Sequence, residues 1–216
     1  MMGGSKLYII LAILLIVSSF GVFYLYGGLT RSIPMEFRGN RYIDPIEALD
    51  FQLIDQFGRP FKLSDYRGKV IAITFIYTHC PDICPAISVG FYQLNNLLRE
   101  NGLDEDVVLV MVTVDPERDN PDRLKMWMDL YGLENVYLLT GELDEVSKVW
   151  MAYGVYVEKV EVDDPDLGYL VAHTGVVYLI NRDFEVEVFF LGAPPQWSAE
   201  DIFNDIMILA ARAPKS

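Results

Sequence analysis

Val70-Ile-Ala-Ile-Thr-Phe-Ile-Tyr-Thr-His-Cys-Pro-Asp-Ile-Cys-Pro85 decides how this chain is read. Its first eight residues are an almost unbroken apolar, β-branched run, the pattern of a strand covered on both faces. A Pro-punctuated loop carrying both cysteines of the protein follows. From Pro85 to Glu100 apolar residues then recur at helical spacing, with Phe91, Leu94, Leu97 and Leu98 on one side. A second buried-strand run, Val107-Val-Leu-Val-Met-Val-Thr-Val114, completes a β-α-β unit whose parallel strands cross over right-handedly.

Working outward, Asn120 caps the next helix, Pro121 takes its first position, and Leu124, Trp127, Met128 and Tyr131 line one face before Gly132 stops it. A short strand from Tyr137 to Thr140 leads to a helix with Leu143, Val146, Trp150 and Tyr153 on one face, ended by Gly154. Strands follow at Val155 to Val162, Val176 to Ile180 and Glu187 to Leu191. The turn Asn181-Arg182-Asp183 joins the last two as an antiparallel pair. Ser198 and Asp201 form a capping box opening a final helix with Ile202, Ile206 and Leu209 inside. This order predicts an α/β protein with the thioredoxin-like layout, a central mixed sheet flanked by helices.

Composition narrows the function. The 216 residues hold 17 Lys+Arg against 31 Asp+Glu, a formal charge of −14, which excludes a nucleic-acid binder that must neutralise phosphates. Two Cys and two His are too few for a zinc ribbon, a four-Cys iron–sulfur cluster or a multi-disulfide scaffold.

Leu7 to Tyr26 is a run of uncharged, mostly apolar residues with Tyr8, Tyr24 and Tyr26 near its ends. As a helix it spans about 30 Å, the thickness of the hydrocarbon core, and it lacks the small-residue cleavage site of a signal peptide. The expected organisation is a flank at 1–6, a transmembrane anchor at 7–26, a linker at 27–44 and a soluble domain at 45–216. Lys6 precedes the span while Arg31, Arg38 and Arg41 follow it, a bias that alone places the domain in the cytoplasm. Only two acids, Glu36 and Asp44, precede Pro45, so the domain is strongly acidic and repelled by anionic lipid.

Cys80 and Cys84 sit where a central strand ends and a helix begins. Side chains there face the crevice in which α/β proteins bind ligands, and a helix N-terminus favours thiolate over thiol. Two such sulfurs clamp a soft cation such as Cu(I) or close as a disulfide. His79 adjoins Cys80 and is read as a surface residue or one supporting the ligands. His173 is placed at the start of a strand Thr174 to Ile180. Run antiparallel beside Val70 to Tyr77, that strand brings His173 over the two sulfurs, giving a three-donor site suited to Cu(I) and extendable for Cu(II).

Three segments carry a family resemblance: Phe75-Ile-Tyr-Thr-His-Cys-Pro-Asp-Ile-Cys-Pro85, Val112-Thr-Val-Asp-Pro-Glu-Arg-Asp119 and His173-Thr-Gly-Val-Val-Tyr-Leu-Ile180. Together with the apolar N-terminal run they resemble the Sco (SenC) family of membrane-anchored copper chaperones for cytochrome c oxidase. The resemblance implies a thioredoxin-like copper-binding domain with Cys80, Cys84 and His173 as ligands. It implies delivery of copper to the Cu(A) centre in the copper-bearing subunit of the oxidase, or reduction of that centre's thiols, with the upstream copper donor unnamed. It also implies a single-pass protein of the cell membrane with its domain on the extracytoplasmic side, against the arginine bias. One departure stands out: Ala172 precedes His173 where the family often has Asp. Asp115, Glu117, Arg118 and Asp119, at the end of the second central strand, are read either as a docking surface or as a solvated turn.

A thiol–disulfide oxidoreductase acting through Cys80 and Cys84 is the alternative. Thioredoxin-type enzymes, however, space their cysteines by two residues and carry a proline before the strand at His173, and this chain does neither. A peroxiredoxin-type peroxidase fits least, because Thr78 lies only two residues before Cys80.

Overall fold

The structure, a computed structural model, describes residues 36–164 and 168–215 together with Ser18. The expected anchor, Leu7–Tyr26, otherwise lies outside the described residues, among which no helix is long and apolar enough to cross a membrane.

From residue 36 onward the chain runs β1 (Asn40–Glu47), β2 (Gln52–Asp55), β3 (Pro60–Lys62), a 3-10 turn (Leu63–Tyr66), β4 (Val70–Ile76), α1 (Ile83–Glu100), β5 (Val107–Thr113), α2 (Pro121–Tyr131), β6 (Val136–Thr140), α3 (Leu143–Ala152), β7 (Val157–Glu161), β8 (Tyr169–His173), β9 (Val176–Ile180), β10 (Glu185–Leu191) and α4 (Ala199–Ala210). Eight strands form one sheet in the order β1-β10-β9-β4-β5-β6-β2-β3, while β7 and β8 form a separate two-stranded sheet. β4, β5 and β6 are parallel; the flanking pairs are antiparallel.

The apolar runs explain the centre. Every residue of β4 and β5 is buried, so both faces of these strands are covered. α1 turns Cys84, Ile87, Phe91, Leu94 and Leu98 inward on one stripe, which puts the second cysteine on the core-facing side of its helix. The segment leading into α4 seats on α1 because residue 90 is glycine: a Cβ there would meet the Trp197 ring at 2.8 Å. The punctuation of α2 is as expected, with Asn120 accepting from Arg123 N and Gly132 at φ 67°. The Ser198–Asp201 capping box opens α4.

The edges differ from the sequence-based expectation. Residues 40–44, assigned to the linker, belong to β1, an edge strand on β10 whose register shifts between Arg41 and Ile46. Pro45 lies within that shift and has no N–H to give a ladder, so the strand lacks regular alternation. β1 is fixed by side chains as well as by its ladder: Arg38 N and Gly39 N, just before it, donate to the Asp205 carboxylate of α4, both at 2.8 Å, and Arg41 pairs with buried Glu187 of β10 at 2.7 Å. β2 and β3 have four and three residues, too few for a periodic signal, and are pinned by Gln56, which bonds Val136 O and Leu138 N.

The second difference bears on the site. His173 ends β8 and does not open the strand at 176; β8 was not expected at all. β7 and β8 pair from Val157↔His173 to Glu161↔Tyr169, forming a hairpin beside the main sheet. β9 does run antiparallel to β4, as expected, with Thr74 opposite Val177. Its beginning therefore lies by the end of β4, and the hairpin delivers His173 there.

Candidate metal and redox site

Tyr77 to Asp82 connect β4 to α1. Cys80 and Cys84 are both free and both buried, Cys80 at 8% exposure and Cys84 at 0%. The rim position of Cys80 follows from the loop, that of Cys84 from the inward stripe of α1. Asp82, the residue before α1, makes no side-chain cap. The backbone N–H groups of Cys84 and Asp82 at that helix start favour the ionised form of the Cys80 sulfur.

The two thiols hold one readily lost proton between them. Cys80 is pulled well below the ordinary thiol range, foremost by the Cys84 thiol that donates to it. Burial opposes this, and His173 with the backbone N–H groups adds to it. Cys84 is pushed up by burial, by donating to Cys80 and by that neighbour's charge. Cys80 is therefore the thiolate and Cys84 the retained thiol.

His173 completes the group. Its Nε2 lies 3.6 Å from Cys84 Sγ, and its Nδ1 lies 3.2 Å from Thr174 O. A carbonyl only accepts, so Nδ1 carries a proton, and Nε2 is the ring nitrogen that faces the sulfurs. Thiolate and imidazole on one first-row metal, at bond lengths of about 2.3 and 2.0 Å and tetrahedral to trigonal angles, stand about 3.5–3.7 Å apart. The Cys84–His173 spacing matches two ligands of a single ion. Among the described residues no three or more His, Cys, Asp or Glu side chains are gathered tightly enough to count as a finished metal cage. The two soft sulfurs and one imidazole suit copper in chemistry.

His79 points elsewhere. Its Nδ1 is 3.2 Å from Thr78 Oγ1 and the ring is partly buried. Burial and the charges of Arg118 and Arg123 lower its pKa and keep it neutral. Ala172 is exposed on β8 and brings no carboxylate to the site.

Within the segment from Asp115 to Asp119 the two end carboxylates are buried acceptors while Glu117 is exposed, which corrects the reading of the whole as a solvated turn. Asp119 is fully buried and accepts from Thr78 N at 3.1 Å, Thr78 Oγ1 at 2.5 Å and Thr113 Oγ1 at 2.6 Å. It thereby ties the last turn before His79 and Cys80 to the end of β5. Asp115, also buried, accepts from Arg118 Nε at 2.5 Å and Tyr169 Oη at 2.8 Å. Tyr77 Oη accepts from Val171 N at 3.3 Å, and the Tyr77 ring meets His173 edge-on with centroids 5.8 Å apart. The sequence signal for these roles was slight: a Thr at the end of each central strand, next to an Asp-rich turn.

A mixed sheet of this order, with a dithiol split between the end of β4 and the first turn of α1, defines a thioredoxin-like dithiol protein. Comparison with known proteins narrows the class. The SCO1/SenC family model matches residues 44–209, and the chain belongs to that family. An SCO2-like protein of Rickettsia prowazekii is 31% identical, covering 83% of this chain and 85% of its own. Among solved structures, copper-bound ScoI of Arabidopsis thaliana superposes with a TM-score of 0.65 at 29% identity, covering 74% of this chain and 96% of its own. BsSco, a member of the Sco family of cytochrome c oxidase assembly proteins in which a disulfide switch was identified, gives 0.62 at 25% identity, over 80% and 99%.

Proposed function

We propose that this protein binds copper through Cys80, Cys84 and His173 and serves assembly of the Cu(A) centre of cytochrome c oxidase. It does so by delivering the metal or by keeping that centre's thiols reduced. The 3.6 Å approach of His173 Nε2 to Cys84 carries this reading, because it adds a nitrogen donor to a pair of soft sulfurs. Copper held by the Arabidopsis relative and the oxidase-assembly role of BsSco support it. Chemically, the bound metal is cargo. Cys80 offers a preformed thiolate at the rim, Cys84 loses its proton as the metal enters, and His173 is held by Thr174 O with Nε2 directed inward.

The test is titration of the reduced full chain with Cu(I) against a chromogenic chelator. One copper per chain is expected, with affinity reduced about tenfold to a hundredfold in His173→Ala, the range for a lost supporting interaction or weak third ligand. A wild-type chain that fails to compete with the chelator, or a His173→Ala chain that binds equally well, sinks the three-donor reading.

The oxidoreductase reading rests on a different observation, the Cys80 thiolate beside a protonated Cys84, which is the pairing needed for attack on a disulfide and resolution of the mixed species. Steady reduction of a protein disulfide, unaffected by His173→Ala, would favour it.

We further propose that Leu7–Tyr26 anchors the chain and that the domain lies outside the cytoplasm, where the oxidase copper centre faces. After mild reduction of intact cells, a membrane-impermeant thiol reagent is expected to label Cys80. No labelling until the membrane is opened would place the domain inside.

A further inference from the structure

The hairpin that carries His173 belongs to no other sheet, so something outside its own ladder sets where it lies. Its outer edge is met by side chains. Arg118 Nη1 donates to Tyr169 O at 3.0 Å, and Val171 N–H donates out of the hairpin to Tyr77 Oη. Arg118 also stacks its guanidinium 3.7 Å from the Tyr169 ring centre while its Nε binds the buried Asp115 carboxylate. Tyr169 Oη returns to that same carboxylate. Lys159 on β7 pairs with Glu117 at 2.5 Å and lies 4.7 Å from the Tyr169 ring.

Resting on the copper reading above, we propose that Arg118 is a positioning residue: with Asp115 and Tyr169 it latches the β7–β8 hairpin to the body and so holds His173 over the two sulfurs. The latch decides between a three-donor site and a two-sulfur site. A planar fork is needed for it. One guanidinium binds a carboxylate and a carbonyl and covers a ring, which the ammonium of a lysine cannot do at once. Around the metal ligands, His173 meets the Cys84 sulfur and the edge of the Tyr77 ring, and Arg118 adds a hold further along β8, at Tyr169.

Two variants of the full chain test it. Arg118→Met removes the fork, and Tyr169→Leu removes the ring and hydroxyl but keeps the Arg118–Asp115 pair. Without metal, exchange of the Val171 amide is expected to quicken about tenfold or more in both, while Val110 and Leu179 in the main sheet keep their protection. With Cu(I), each variant is expected to lower affinity, and His173→Ala is expected to add less than about twofold in either background, as for residues acting as one unit. Unchanged protection of Val171, or copper losses that multiply with His173→Ala, overturns the latch. If Arg118→Met does not fold, Tyr169→Leu decides. If the wild-type chain binds no Cu(I), the copper reading falls while the Val171 amide still tests the latch.

Discussion

Cys84→Ser leaves a folded protein whose Cu(I) affinity has dropped by about a hundredfold to a thousandfold. Folding tolerates the change because Cys84 is a single buried atom's difference from Ser at the head of α1, and the hydroxyl can still donate to Cys80. Binding does not tolerate it. A serine hydroxyl does not ionise near neutral pH and is a hard oxygen donor, poorly matched to Cu(I). Structural metal sites with about four ligands bind with about 10–16 kcal/mol, so losing one strong ligand costs about 2.5–4 kcal/mol, or about two to three decades in affinity. Cys80→Ser is expected to cost as much or more, because Cys80 is the sulfur already ionised. A second readout separates the two. In Cys84→Ala, Cys80 loses its foremost stabilising donor, so its thiol rises toward the ordinary value and its alkylation by iodoacetamide moves to higher pH. Copper titration and a pH profile of alkylation check these outcomes. Nanomolar or tighter 1:1 binding retained by either serine variant would remove that sulfur from the site.

How much of this was legible in the sequence depends on how local each feature is. The central β4–α1–β5 unit could be read because buried strands and an inward helical stripe leave continuous patterns, and the ends of α2 and α4 because caps are local chemistry. β1 could not, since Pro45 and the register shift break its alternation, and neither could β2 and β3 at four and three residues. The placement of His173 beside the cysteines was reached for a partly mistaken reason. The antiparallel course of β9 past β4 was right, but the residue sits at the end of β8. Five residues of β8, ending in a hairpin with one partner, give no run long enough to separate from loop. Asp119 was the hardest to see. A polar turn rich in Asp, Glu and Arg looks solvated until three donors from residues 78 and 113 converge on it.

That convergence makes Asp119→Ala the most damaging single change expected outside the sulfur ligands. The alanine leaves Thr78 N–H and Thr113 O–H buried without their acceptor and frees the turn that presents Cys80. Unsatisfied buried donors cost about 1–3 kcal/mol each, so a loss of about 2–4 kcal/mol in unfolding free energy is expected after partial relaxation. Thr78 Oγ1 relaxes most easily, because it already receives Arg123 Nε and lies by His79. The pH dependence has a defined sign. Burial pushes the Asp119 carboxyl up, the bonds from Thr113 and Thr78 pull it down, and the charge of Asp115 adds to the rise, with a net upward shift. A raised folded-state value means the native state binds the proton more tightly than the unfolded chain does. The resulting stabilisation is complete below the ordinary value near 3.9 and is lost as pH climbs through the folded-state value. The stability gap between wild type and Asp119→Ala should therefore be widest in acid and narrow toward neutrality. Asp119→Asn, uncharged at every pH, should fall between them, because its amide keeps one acceptor but turns a donor toward Thr78 or Thr113. Urea unfolding of the three proteins at pH 4, 5 and 7 measures this. Equal stabilities would show that Asp119 does not hold the cysteine loop as a buried acceptor, and a gap that grows with pH would show that the bonds from Thr113 and Thr78 outweigh burial.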